Sequence, residues 1–318
     1  NDLTGLPVTN FKGAKFEHAE EISGQSLYEL IKERGGEGKT AHACMPGCII
    51  QCSNVVPDEE GKTIVSPLEY ETIGLMGSNL GIGDLDTIAK LNAVCNDLGV
   101  DTIETGAVMG MAMEAGIVEF GDNEAALNLL DEIKTGTELG KLLGEGTLIA
   151  GKALGVKNIP VINGQAMPAY DPRAIKAMGV TFATSPMGAD HTYGPVVKAE
   201  DAVEASKAAQ IMMAKIDCLG VCMFLRGAVA KHMDLFVDLV NAVHGWDLDM
   251  DWLEDIALEA IRDEHKFNEL AGFTKEDYRM PKAFTNREID STNQVFDIDK
   301  DELDELRLWH DKNKIIYR

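Results

Sequence analysis

Positive charge is scarce in this sequence beside negative charge. Lys and Arg number 29 against 53 Asp and Glu, a formal net charge of −24 over 318 residues. A phosphate backbone is held through Lys and Arg, so this balance argues against a nucleic-acid partner. A small basic partner would be attracted, whereas an acidic one would need a local basic patch. Aromatic residues are scarce, at 6%, while Ala, Leu, Met and Glu are plentiful, a composition that favours helix. No apolar run reaches membrane-spanning length and none has the flanks of a signal peptide. The expectation is a soluble, cytoplasmic protein with no membrane partner. Strand signals are weak and short, and no solenoid-type repeat is visible. The chain does not open with Met: the stretch from Asn1 to Phe11 carries no helix cap or targeting pattern and reads as the middle of a protein. Among the six cysteines there is no C-x2-C pair, the usual knuckle of structural zinc. Without a leader they also make a poor secreted disulfide framework.

What is present is a cysteine pattern. Cys44, Cys48 and Cys52 lie in A-C-M-P-G-C-I-I-Q-C, and Cys222 closes D-C-L-G-V-C far downstream. Three thiols in one loop and a fourth far away suit a 4Fe–4S cluster, whose four irons each take a thiolate. Pro46 and Gly47 make a turn in this loop rather than a core helix. Zinc ranks second and inert buried thiols third. The inert reading suits Cys95, which falls on the apolar side of a predicted helix. The acidic runs of the last third read as solvated helix faces.

The length exceeds that at which single cores stop growing, and the composition predicts a mainly α fold of two helical domains. Pro160, Gly164, Pro168 and Pro172 crowd residues 155–175 and mark a boundary, dividing the chain into 1–158 and 159–318. Leu27, Leu30 and Ile31 share a face of a first helix that ends at Gly35-Gly36. Asp84 or Asp86 caps a helix carrying Ile88, Leu91, Val94, Cys95 and Leu98, which Gly99 terminates. Met109, Met111 and Met113 mark another helix and read as core. Further helices are expected over 123–134, 136–154, 201–216, 228–244 and 250–271. There is one internal echo. Asn96-Asp97-Leu98-Gly99-Val100-Asp101 resembles Asp217-Cys218-Leu219-Gly220-Val221-Cys222, and both follow a predicted helix.

Taken in order, these features resemble the tungsten- or molybdenum-dependent aldehyde:ferredoxin oxidoreductases. The cysteine arrangement is the family's. The two echoing segments are similar to its pterin-binding pattern D-x-x-G-L-(D/C). Glu69 to Thr72 (E-Y-E-T) and Ala183 to His191 (A-T-S-P-M-G-A-D-H) resemble further family blocks. The resemblance covers essentially the whole chain and corresponds to the two C-terminal, helix-rich domains, without the N-terminal β-rich domain.

The resemblance implies that Cys44, Cys48, Cys52 and Cys222 hold a 4Fe–4S cluster. It also implies that Asn96, Asp97, Gly99, Asp101, Asp217, Leu219 and Gly220 contact a tungsten or molybdenum bis-pterin. A carboxylate can accept two of a pterin's N–H groups, and glycine lets the backbone approach a flat ring. Glu71 corresponds to the family's active-site glutamate and His191 to its histidine, as general base and as carbonyl polariser or proton shuttle. The implied reaction is oxidation of an aldehyde to a carboxylic acid, with electrons passing through the cluster to ferredoxin or a similar acceptor. The chain by itself is expected to be inactive. Two departures are visible: Cys44 to Cys48 is C-x3-C where the family has C-x2-C, and Asn96 replaces an Asp. The competing reading is a cluster-bearing electron-transfer subunit with no substrate of its own.

Overall fold

The computed structural model describes residues 5–308. The fold is mainly α, as the composition predicts. Within the described residues the helices are α1 (Gly24–Arg34), α2 (Tyr70–Met76), α3 (Leu85–Leu98), α4 (Thr102–Glu114), α5 (Asn123–Thr135), α6 (Glu138–Gly144), α7 (Thr147–Ala153), α8 (Lys176–Thr184), α9 (Ala202–Cys218), α10 (Arg226–Val229), α11 (Met233–His244), α12 (Met250–Leu270), α13 (Lys282–Asn286) and α14 (Lys300–Arg307). The strands are short: β1 (Lys39–His42), β2 (Ser53–Pro57) and β3 (Thr63–Val65) form one antiparallel sheet, and β4 (Val161–Ile162) pairs with β5 (Gln165–Ala166). No single helix among the described residues is long and apolar enough to cross a membrane.

Backbone contacts divide the chain into two compact units. The first is Asn1–Ala174 with Pro281–Phe296, and the second is Ile175–Met280 with Asp297–Arg318. The division after Ala174 lies at the end of the proline-rich stretch 155–175, later than residue 158. The return of 281–296 to the first unit is not legible in the sequence. Its cause is a buried charge. Arg173, with no exposed surface, grips Asp171 through two contacts of 2.9 and 2.5 Å. The same guanidinium donates to Phe11 O at 2.6 Å and to Arg287 O at 3.3 Å, and lies 5.0 Å from the Phe284 ring. Arg287 donates to Phe11 O as well, at 2.8 Å, and Asp290 accepts from Ala14 N at 2.7 Å. A buried guanidinium must have every donor met, and here the acceptors come from three separate stretches of chain.

The core of the first unit surrounds α3. Asp84 caps this helix by accepting from Thr87 N, and Gly99 ends it in the left-handed region. Ile88, Leu91 and Cys95 are completely buried, as the i, i+3, i+7 spacing predicts. Met109, Met111 and Met113 of α4 are core residues. The single helix expected over 136–154 is two, α6 and α7, because Gly146 takes φ 86° between them.

In the second unit α9 packs on α12 through Met213, Ile216 and Leu253. The helix expected over 228–244 begins only at Met233. On its outer face Leu235, Leu239 and Val243 remain exposed. Helix α8 carries no periodic signal: every residue from Ala177 to Thr184 is buried, so no polar face alternates with an apolar one.

Candidate functional site

The three-cysteine loop is the connection of a β-hairpin. β1 and β2 pair with Lys39 opposite Val55 and His42 opposite Ser53, leaving 43–52 as the turn. Cys48 N donates to Met45 O at 3.3 Å across the Pro46-Gly47 turn, and Cys52 bridges back to His42 at the root. Cys44 and Cys52 are exposed and Cys48 half-buried. The Cys48 sulfur receives the backbone N–H groups of Gln51 and Ile50 and a side-chain bond with Cys44, which together hold its thiol below the ordinary range. N–H donors aimed at sulfur stabilise thiolate, the form that binds metal. Cys95 is the opposite case. Burial in α3 pushes its thiol up to about 11, in keeping with the core role expected for it.

These donors suit thiolate ligation chemically. Among the described residues, however, no three His, Cys, Asp or Glu side chains are drawn into a metal-holding group. Cys222 is exposed and belongs to the second unit.

Glu71 sits in the first turn of α2. Its Oε2 accepts from Ala169 N at 2.7 Å, while the neighbouring Tyr70 hydroxyl donates to Ala169 O at 2.8 Å. One peptide-flanked residue thus anchors both side chains. Gly74 permits this approach, because a Cβ there would lie 2.4 Å from that of Ala169. The next residue, Thr72, shares a 2.8 Å hydrogen bond with Thr102, adjacent to Asp101. The start of α2, which carries Glu71, is thus tied to the start of α4, which follows the 96–101 segment. In that segment Asn96, Asp97 and Gly99 are exposed, whereas Asp101 caps α4 by accepting from Glu104 N at 2.6 Å.

His191 and the second segment both lie in the other unit. His191 is half-buried in a loop organised by Asp190, whose Oδ1 accepts from Thr192 N at 2.6 Å and Tyr193 N at 2.8 Å. Asp217, in the last turn of α9, has its carboxyl pushed up by burial and by the facing charge of Asp190. Leu219 closes the helix and Gly220 follows with φ 65°.

Sequence reasoning missed three neighbours of this place. The Tyr193 hydroxyl donates to Glu264 Oε2 at 2.6 Å. Burial and the Asp217 charge push the Glu264 carboxyl up. Cys218 is pushed up by burial, Glu264 and Asp217. Glu264 arrives from α12, and no spacing in the sequence could have announced it.

Open space adjoins both segments, since a Cβ added at Gly99 or Gly220 would meet nothing within 4 Å. An exposed amide or carboxylate beside an uncovered glycine fits a flat, hydrogen-bonding group such as a pterin.

Residues 1–310 match the family model described as aldehyde ferredoxin oxidoreductase, domains 2 and 3. The chain is 28% identical over 310 residues to the tungsten-containing aldehyde ferredoxin oxidoreductase of Pyrococcus furiosus, which covers 87% of this chain and 49% of the relative. The same identity and coverage hold over 309 residues for the enzyme of that description from Thermococcus kodakarensis. An aliphatic sulfonate oxidoreductase, WOR-like subunit, of Pyrococcus furiosus is 28% identical over 240 residues, 68% of this chain and 37% of the relative. The chain spans about half the length of the tungsten-containing relatives it matches. It belongs to the aldehyde ferredoxin oxidoreductase family, of which it carries domains 2 and 3.

Proposed function

We propose that this chain is the part of an aldehyde-oxidising enzyme that grips a tungsten or molybdenum bis-pterin and carries a 4Fe–4S cluster toward ferredoxin. The observation that supports it best is the pairing of candidate chemistry with candidate cofactor segment inside each unit. Thr72, next to Glu71, bonds Thr102, next to Asp101, and Asp190, next to His191, faces Asp217. Asn96, Asp97, Gly99 and Asp101 would hold one pterin, and Asp217, Leu219 and Gly220 the other. Cys44, Cys48, Cys52 and Cys222 would hold the cluster. When bound, the centre supplies a two-electron acceptor and the cluster a one-electron exit.

The residues supply the rest. Converting an aldehyde and water to a carboxylic acid releases two protons with the two electrons. Glu71, with one carboxylate oxygen fixed by Ala169 N–H, is oriented to take a proton from water or the hydrated aldehyde. His191 is the polariser of the carbonyl oxygen or the proton shuttle. Partner, substrate and metal choice follow the family: ferredoxin or a similar acceptor, an aldehyde-type small molecule, and tungsten as in the curated relatives' names.

The test uses the protein extended by the half that the relatives possess. Glu71→Gln and His191→Asn are expected to abolish aldehyde oxidation with iron and tungsten content unchanged. Unchanged turnover in both would overturn the catalytic assignment. Persisting electron transfer to ferredoxin without any aldehyde oxidation in the parent protein would favour a cluster-bearing electron-transfer subunit. The 318-residue chain alone is expected to bind no tungsten and to be inactive. Stoichiometric tungsten with aldehyde oxidation in that preparation would refute this.

A further inference from the structure

In a chain of net charge −24, a pocket lined by cations is unexpected. The second unit has one, of about 510 Å³, between the end of α12, the 3-10 turn Lys275–Tyr278 and the end of α14. Arg262, Lys266, Lys275 and Arg307 line it, against the carboxylates of Asp263 and Glu269. We propose that this pocket binds a small, multiply phosphorylated anion.

The argument rests on which charges are already engaged. Glu269 is paired with Lys266 at 2.6 Å. Asp304, the nearest acid of α14, gives both oxygens to Arg279 at 2.8 Å each. Asp277 caps the 3-10 turn by accepting from Thr274 N and Oγ1 at 2.7 and 2.9 Å. These three carboxylates are thus engaged, Glu269 by a lysine of the pocket itself. Among the described residues, Lys275 has no carboxylate at ion-pair distance. The Arg307 Nε is buried without an acceptor, and the centre of the guanidinium lies 5.3 Å from the centroid of the Tyr278 ring. A guanidinium presents its N–H groups in a planar fork that matches phosphate oxygens. The volume is that of a small-molecule site. Two such cations from separate elements, the 3-10 turn and α14, ask for an anion with more than one charged group.

The inference is independent of the proposed redox chemistry. It is tested by isothermal titration calorimetry on the full chain with pyrophosphate, ADP and orthophosphate. Pyrophosphate and ADP are expected to bind, with affinity falling as salt rises. Orthophosphate should bind at least about tenfold more weakly, having fewer charge-assisted contacts. Lys275→Gln, an exposed change that leaves packing untouched, should weaken pyrophosphate by about tenfold. Arg307→Gln should weaken it further, whereas Lys152→Gln, on α7, should leave it unchanged. The proposal fails if neither polyanion binds to folded chain, or if Lys275→Gln binds pyrophosphate as the parent does. It fails equally if hexaglutamate binds as tightly as pyrophosphate, which would mark the surface as one for an acidic protein.

Discussion

The segments 96–101 and 217–222 have one backbone and two chemistries. In the first, Gly99 N donates to Asn96 O at 3.3 Å and Val100 N to Cys95 O at 3.1 Å. In the second, Gly220 N donates to Asp217 O at 2.9 Å and Val221 N to Ile216 O at 2.8 Å. This is the same helix-ending motif twice, with glycine at φ 70° in one and 65° in the other. The side chains then diverge. Asp101 gives one carboxylate oxygen to the cap of α4. Cys222 stands at the start of a 3-10 turn with no side-chain cap bond, its thiol exposed. Asn96 cannot titrate, whereas Asp217 faces Asp190 and is pushed up. Similar scaffolding thus ends one segment in a helix-capping carboxylate and the other in an exposed thiol.

The sharpest way to break this contrast is to exchange the last residue of each segment. On the proposed function, Cys222→Ser in the extended protein should remove the cluster's fourth thiolate. Iron and the visible charge-transfer absorption should then be largely lost on anaerobic purification. Asp101→Ala should leave both intact. Equal iron in the two variants would show that Cys222 is no ligand.

The shared backbone predicts equal costs for Gly99→Ala and Gly220→Ala, each about 1–2 kcal/mol from the left-handed conformation alone. No neighbouring atom lies within 4 Å of either new Cβ. Urea unfolding of the two variants checks this, and a clearly unequal pair would mean that the motifs differ in more than side chains.

Asp101→Ala should cost about 1 kcal/mol as a lost helix cap, while Cys222→Ala in the metal-free chain should change stability by less than about 0.5 kcal/mol. The same unfolding experiment reads both.

The smallest effect concerns Asp217→Asn, which makes the second segment resemble the first. The folded protein holds the Asp217 proton more tightly than the unfolded chain does. Its contribution to stability therefore falls as pH rises through the carboxylate range, and at neutral pH the charge opposes folding. The substitution should stabilise at pH 7, by less than about 0.5 kcal/mol because the carboxylate is exposed and screened. The gain should vanish once the parent carboxylate is protonated. Urea midpoints across pH 4 to 7, in steps of about one unit, would reveal a gain that fails to fade.

Much of this was readable in the order of residues, and for local reasons. Asp84 as cap, Gly99 as terminator and the buried i, i+3, i+7 stripe of α3 follow from a single turn of helix at a time. The Pro46-Gly47 turn foretold a loop at the cysteines, though not that two strands would make it a hairpin, because three- to five-residue strands carry too few alternations to register. The division of the chain was harder. Its proline-rich border was visible, but the return of 281–296 to the first unit depends on Arg173 finding acceptors in Phe11 and Arg287.

What the sequence determined by itself is therefore the helix-rich composition, the places where helices begin and end, and the family signature of cysteines and paired Gly-containing segments. These depend on neighbours a few residues apart. Only the tertiary structure decided that Glu71 is tethered to Ala169, that Glu264 reaches Tyr193 and that four cations gather around one cavity. Each of those joins residues tens of positions apart or more. Their energies depend on desolvation and on which partner is already engaged, quantities that exist only once the chain has folded.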